Sequence, residues 1–170
     1  MAQEFMLRHQ RCNLWAAPGF GKTVMAYTAI DAMYVCGLES RPTLVLGPLR
    51  VARDTWTDEV LKWHHLRDLT VSAVIGTPAQ RAAALKRDCM IYTLNYENLP
   101  WLVDQLGGQW PFGTVVADES TRLKGFRVKQ GGKRAHALSQ VAWTHTNRWI
   151  NLTGTPSPNG LKDLWGQMWF

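Results

Sequence analysis

The chain has 170 residues, enough for one ordinary domain core, and its 46% hydrophobic and 19% charged residues exclude a disordered tail. It has no apolar run of the ~18 residues that a membrane-spanning helix needs and no charged, apolar and small-residue pattern of a secretory signal, so a cytoplasmic protein with no membrane partner is expected. Cys12, Cys36 and Cys89 lack the C-x-x-C spacing of a zinc site or disulfide framework, while the net charge of +6 favours a polyanionic partner such as nucleic acid.

Short apolar, β-branched stretches predict strands at residues 12–16, 43–47, 70–75, 89–93, 114–117 and 149–152. Helical spacing fills the intervals at residues 22–35, 52–63, 78–86, 97–106 and 133–142, and a last helix starts near Leu161. Residues 4–10 read as the last turns of a helix. Residues 163–170 read as a helix that is still apolar where it stops, as expected of a fragment of a longer protein. Pro18-Gly19 and Gly21 break the chain after the first strand, and Gly37 and Gly107-Gly108 close helices. The alternation predicts an α/β fold of three layers: a mainly parallel sheet flanked by helices, with ligands at the carboxyl ends of its strands.

The run from Leu14 to Val24 carries the strongest chemical signal. An apolar strand enters a glycine turn, and Gly21-Lys22-Thr23 opens a helix. Backbone N–H groups of such a loop and helix start point at an anion. Gly19 and Gly21 permit close approach, Lys22 reaches the β- and γ-phosphates, and the Thr23 hydroxyl ligates Mg²⁺. Pro18, Gly19, Phe20, Gly21, Lys22, Thr23 and Val24 are therefore the expected ATP-binding stretch. Ala16 stands where the strict phosphate-loop pattern has glycine, which gives the A-x-x-G-x-G-K-T form used by helicases.

A phosphate loop needs an acidic partner on a neighbouring strand, and the 114–117 strand leads into Asp118-Glu119. Asp118 is expected to hold Mg²⁺, and Glu119 to polarise the attacking water as general base. Two adjacent carboxylates at a buried strand end are costly, and a dication with its nucleophilic water offsets that cost. Lys22, Asp118 and Glu119 are the expected catalytic set.

Together these motifs resemble the superfamily 2 helicase-type ATPases, and within them the Snf-type double-stranded DNA translocases, most of all the compact phage Snf-like and DEAD/DEAH-box helicases. The resemblance spans the whole chain. Ala16 to Thr23 matches motif I, and Val45 to Val51, followed by Trp56 and Trp63, resembles motif Ia. Thr93-Leu94-Asn95-Tyr96-Glu97 resembles the threonine-tyrosine-glutamate segment. Asp118 to Thr121 matches motif II, and Leu152 to Pro156 matches motif III, followed by Asn159, Leu161 and Trp165. Two departures stand out. Ser120-Thr121 occupies a place where the broader family has a histidine that links ATP to motif III, and Gln10 lies too close to Ala16 to be an adenine-reading glutamine.

The resemblance implies that residues 1–170 are a single RecA-like lobe, without the upstream Q-motif helix and without the second lobe and its arginine fingers. It implies an ATP hydrolase that uses Mg²⁺ and moves on double-stranded DNA, weak or inactive as an isolated lobe. Thr153, Gly154 and Thr155 would couple ATP state to DNA grip, although a Thr-Gly-Thr-Pro turn is also an ordinary way to leave a strand. Nucleic-acid candidates are Arg50 and Arg53, Thr93 and Asn95, and Arg122 and Lys124 in a 122–134 loop that also holds Arg127, Lys129, Lys133 and Arg134. Two alternatives stay open: a nucleic-acid-binding module with a vestigial ATPase, and a motor lobe serving a nuclease or restriction complex.

Overall fold

The computed structural model describes residues 1–125 and 133–170, with side chains given outside 126–136. Among the described residues the strands are β1 (Arg11–Trp15), β2 (Thr43–Gly47), β3 (Val71–Ala73), β4 (Ile91–Asn95), β5 (Thr114–Asp118) and β6 (Arg148–Thr153). They form one sheet in the order β1-β6-β5-β2-β4-β3, and every neighbouring pair is parallel. Seven helices accompany it among these residues: α1 (Ala2–Arg8), α2 (Lys22–Val35), α3 (Trp56–Lys62), α4 (Pro78–Leu85), α5 (Leu99–Leu106), α6 (Lys133–Ala142) and α7 (Lys162–Met168). The expected three-layer RecA-like architecture is present, with a sheet that is wholly parallel.

The pleat sorts the apolar side chains into two cores. Leu44, Leu46, Val115, Ala117 and Trp149 face one side, against Ala84 of α4, Leu99 and Leu102 of α5, and Leu138 of α6. Val45, Val116, Ile150 and Leu152 face the other, against Met6 of α1, Ile30 and Met33 of α2, and Trp56 and Val60 of α3. Such residues contribute about 1.5–3 kcal/mol each when fully buried, and β2, β4, β5 and β6 are buried along their whole length. Helix ends follow local chemistry. Thr77 and Gln80 form a reciprocal capping box at the start of α4, with Pro78 in the first turn. Gly107, at φ 54°, closes α5.

Several boundaries differ from the sequence reading. The strand expected at 89–93 is β4, two residues later, because the Cys89 N–H goes to the Tyr92 hydroxyl instead of a ladder (3.3 Å). β3 is shorter than 70–75, and β1 starts and ends one residue before 12–16. The helix expected at 52–63 is divided into a π-type turn, Val51–Thr55, and α3. The helix expected at 97–106 opens as a 3₁₀ turn, Tyr96–Asn98, and becomes α5 at Leu99. The first helix runs from Ala2 to Arg8, and His9 turns extended at φ −109°. No helix among the described residues is long and apolar enough to cross a membrane. α7 has the expected apolar outer face, with Leu161 at its cap and Trp165 and Met168 exposed.

Candidate nucleotide site

The parallel order brings three strand ends to one edge of the sheet. β1 ends at the glycine loop, β6 at Thr153 and β5 at Asp118, with β6 in the middle. Leu14 and Asp118 both stand in register with Leu152, so the loop's strand and the acidic strand are two spacings, roughly 10 Å, apart. The loop carries two left-handed glycines, Gly19 at φ 82° and Gly21 at φ 74°, and Gly21 is the N-cap of α2. This conformation aims the first N–H groups of α2 into the loop. Lys22 Nζ donates to the Ala16 and Ala17 carbonyls at 2.7 and 3.1 Å, within the concavity where phosphate oxygens would compete for it. Phe20 is exposed at the rim.

The turn after β6 leans on the loop. Ala16 N–H donates to the Thr153 carbonyl (3.2 Å), and a Cβ on Gly154 would stand 2.9 Å from Pro18 Cδ. The Thr155 N–H donates to Thr153 Oγ1 (3.1 Å), which closes the turn on itself. The structure thus brings the phosphate loop and the Thr153, Gly154 and Thr155 turn into direct contact.

Asp118 is buried, with 7% of its surface exposed, and both its carboxylate oxygens are occupied. Oδ2 accepts from Trp56 Nε1 and Oδ1 from the Glu119 N–H, each at 2.9 Å. Its backbone carbonyl accepts from the buried Tyr96 hydroxyl at 2.8 Å. Burial pushes the Asp118 carboxyl above its ordinary value, against the Trp56 hydrogen bond; neighbouring Glu119 adds to the rise, and Lys22 opposes it. The group is fixed in position yet costly as a bare anion. The donor set fits a hard dication: the Asp118 carboxylate, and a Thr23 hydroxyl with no hydrogen bond among the described residues.

Glu119 differs in every respect. Its side chain is half-buried and makes no hydrogen bond or ion pair among the described residues. Its backbone, at φ 53° and ψ 53°, is the one left-handed non-glycine position among them. This twist turns the chain sharply after β5, and it costs about 1–2 kcal/mol in an L-residue. Glu119→Gly is expected to raise the melting temperature by roughly 2–6 °C, where Glu119→Ala gives no gain. Thermal denaturation of both variants checks this, and a Glu119→Gly chain no more stable than Glu119→Ala would refute the strain.

A model of the SNF2-related domain matches residues 4–170, almost the entire chain. The chain belongs to the SNF2-related family. Protein p41 of Acyrthosiphon pisum secondary endosymbiont phage 1 is 56% identical over 99% of this domain, which spans only 38% of that relative. The nuclear protein STH1/NPS1 of Saccharomyces cerevisiae is 28% identical over 89% of this chain and 11% of its own. Among solved structures, the Sulfolobus solfataricus SWI2/SNF2 ATPase core in complex with double-stranded DNA superposes with a TM-score of 0.76, at 24% identity, over 98% of this chain and 33% of that one. The UvsW helicase of bacteriophage T4 gives a TM-score of 0.71 at 13% identity, over 99% and 57%. These likenesses establish the Snf-type, superfamily 2, RecA-like fold.

The nucleic-acid candidates of this SNF2-related domain differ in exposure and pairing, and Asn95 and Arg122 share Glu97 as a partner. Arg50 is exposed; Arg53, also exposed, pairs with Asp54 at 2.8 Å. Thr93 is wholly buried and donates to the Ala52 carbonyl, and Asn95, on β4 and also buried, donates to Glu97 at 2.9 Å. Arg122 pairs with Glu97 at 3.3 Å, and Lys124 with Asp163 at 3.4 Å. Arg127 and Lys129 lie outside the described residues, as do the side chains of Lys133 and Arg134. Sequence reasoning missed the partnership of Trp56 with Asp118 and the buried Gln167. Trp56 had one usable signal, its place in the motif Ia pattern; Gln167 had only its polarity inside an apolar helix.

Proposed function

We propose that this chain is the ATP-binding motor lobe of a DNA helicase or translocase, which binds Mg²⁺–ATP and hydrolyses it between this lobe and a second RecA-like lobe to move on double-stranded DNA in the cytoplasm. The observation that carries the reading is the convergence at one sheet edge of Lys22, the Asp118–Glu119 pair and the Thr153 turn. In this reading Lys22 leaves the Ala16 and Ala17 carbonyls for the β- and γ-phosphate oxygens. Loop N–H groups between Gly19 and Thr23 hold the same phosphates. Thr23 and Asp118 would hold Mg²⁺, which when bound would screen the phosphate charge. Glu119, with its carboxylate unbonded, takes the proton of the attacking water. The SWI2/SNF2 ATPase core, solved in complex with double-stranded DNA, supports DNA as the partner. Arg50, Arg53, Arg122 and Lys124 are the described cations proposed to meet it.

The second lobe would bring arginines to the γ-phosphate. Such arginines are worth ~10³–10⁵ in rate, so the isolated chain is expected to bind nucleotide and turn over very slowly. Titration of Mg²⁺ and a fluorescent ATP analogue into the chain and into Lys22→Ala tests the reading. The variant is expected to bind roughly ten- to hundred-fold more weakly, the worth of a charge-assisted contact. Equal affinity in both would overturn the phosphate-loop assignment.

A further inference from the structure

One buried polar residue that the nucleotide site does not itself use is Gln167, on the inner face of α7 and 1% exposed. Its side-chain amide spans two turns of the site. Ser120 Oγ, immediately after the acidic pair, donates to Gln167 Oε1 at 2.9 Å. Gln167 Nε2 donates to the Pro156 carbonyl, immediately after Thr155, and to the Asp163 carbonyl one helical turn back at 3.1 Å. The Gln167 backbone carbonyl accepts from Asn151 Nδ2 of β6 at 2.9 Å, and the same amide reaches Asn13 Oδ1 of β1 at 3.0 Å. The side chain's acceptor and both its donor directions are thereby engaged.

The rest of α7 is held to the same turn. Gly166 lies so close to it that a Cβ would stand 2.5 Å from the Leu123 and Lys124 carbonyl oxygens, and Asp163 pairs with Lys124. The turn after Asp118-Glu119, the turn after Thr153 and α7 therefore share one amide. A satisfied buried network of this kind has few alternative arrangements, so displacement of one member shifts the others. Ser120 thereby reaches the Pro156 end of the Thr153 turn through the Gln167 amide.

We propose that Gln167 is a positioning residue that carries displacement of the Asp118–Glu119 turn to the Pro156 end of the Thr153 turn and to α7. The proposal rests on the nucleotide-binding reading above. Backbone hydrogen exchange at the α7 amides, residues 162–168, with and without Mg²⁺–ATPγS tests it in the wild-type chain, Gln167→Met and Ser120→Ala. Ser120→Ala is the milder change and leaves Gln167 bonded to Pro156. In the wild type, nucleotide is expected to slow α7 exchange by roughly five-fold or more, the scale of ordinary coupling between sites. Both variants are expected to bind nucleotide within about three-fold of wild type while the slowing falls below about two-fold. Slowing that persists in both variants would overturn the relay. So would exchange that rises equally with and without nucleotide, since that is the signature of a merely structural glutamine. A wild-type chain that binds nucleotide with no change in α7 would overturn the relay alone; one that binds no nucleotide would overturn the functional reading and the relay together.

Discussion

Trp56→Ala is expected to lower the melting temperature by roughly 6–20 °C, from a loss of about 3–5 kcal/mol for a buried tryptophan in a chain of this size. Trp56 is fully buried between α2 and the sheet, with its ring 4.8 Å from that of Tyr27. It is also the residue that donates a hydrogen bond to one oxygen of Asp118. Trp56→Phe separates the two roles, keeping most of the apolar ring and deleting the N–H. Burial already holds the Asp118 carboxyl above its ordinary value and the indole opposes that rise, so Trp56→Phe moves it further up. The sign for stability follows. The folded state of the variant holds its proton to higher pH than wild type, so the stability difference between the two grows as pH rises through the folded value and shrinks in acid. Thermal denaturation at pH 5 and pH 8 checks this; a deficit that is greater in acid would refute the Trp56–Asp118 pairing.

Gly166→Ala sets two effects of opposite sign against each other. In a helix interior alanine is favoured over glycine by about 1 kcal/mol. Here the added methyl carbon would meet two backbone oxygens at 2.5 Å, and backbone cannot swing aside as a long side chain can. Overpacking of this kind costs about 3 kcal/mol at its upper range, leaving a net loss of about 2 kcal/mol and a melting temperature lower by roughly 4–8 °C. Gly166→Val is expected to lose more. A rise in melting temperature for the alanine variant would mean that α7 does not sit on the 120–124 turn as closely as described.

The phosphate loop and acidic pair were legible because each is a short local pattern whose backbone form follows from glycine placement or from a buried strand end. The sheet was legible for the same reason: strands covered on both faces are written as continuous apolar runs. What could not be read was set by contacts far apart in the chain. Asn95 is polar and reads as loop, yet it extends β4 because its register with Gly47 and its bonds with Glu97 and Asn98 satisfy it while buried. The 52–63 helix is periodic throughout, and nothing local marks the π-type turn that precedes Trp56. Thr93 was a nucleic-acid candidate by motif and is buried by position, since β4 is covered on both faces and its hydroxyl is spent on the Ala52 carbonyl. Gln167 meets Ser120 only because α7 folds back under the acidic strand, a return that no spacing of residues announces.

The place of β1 in the sheet bears on how the chain is made. Among the described strands it is synthesised before the other five, yet its ladder partner is β6, synthesised after them. A growing chain can pair β2 with β4 and β5 while Arg11 to Trp15 still has no strand to join. The glycine loop, suspended between β1 and α2, gains its support from Thr153 only when β6 has left the ribosome. Topologies that defer a contact this long fold slowly, and here the deferred contact is the one that supports the glycine loop. Ribosomal pausing before residue 148 would leave a nascent chain with most of its sheet assembled and its phosphate loop still unsupported.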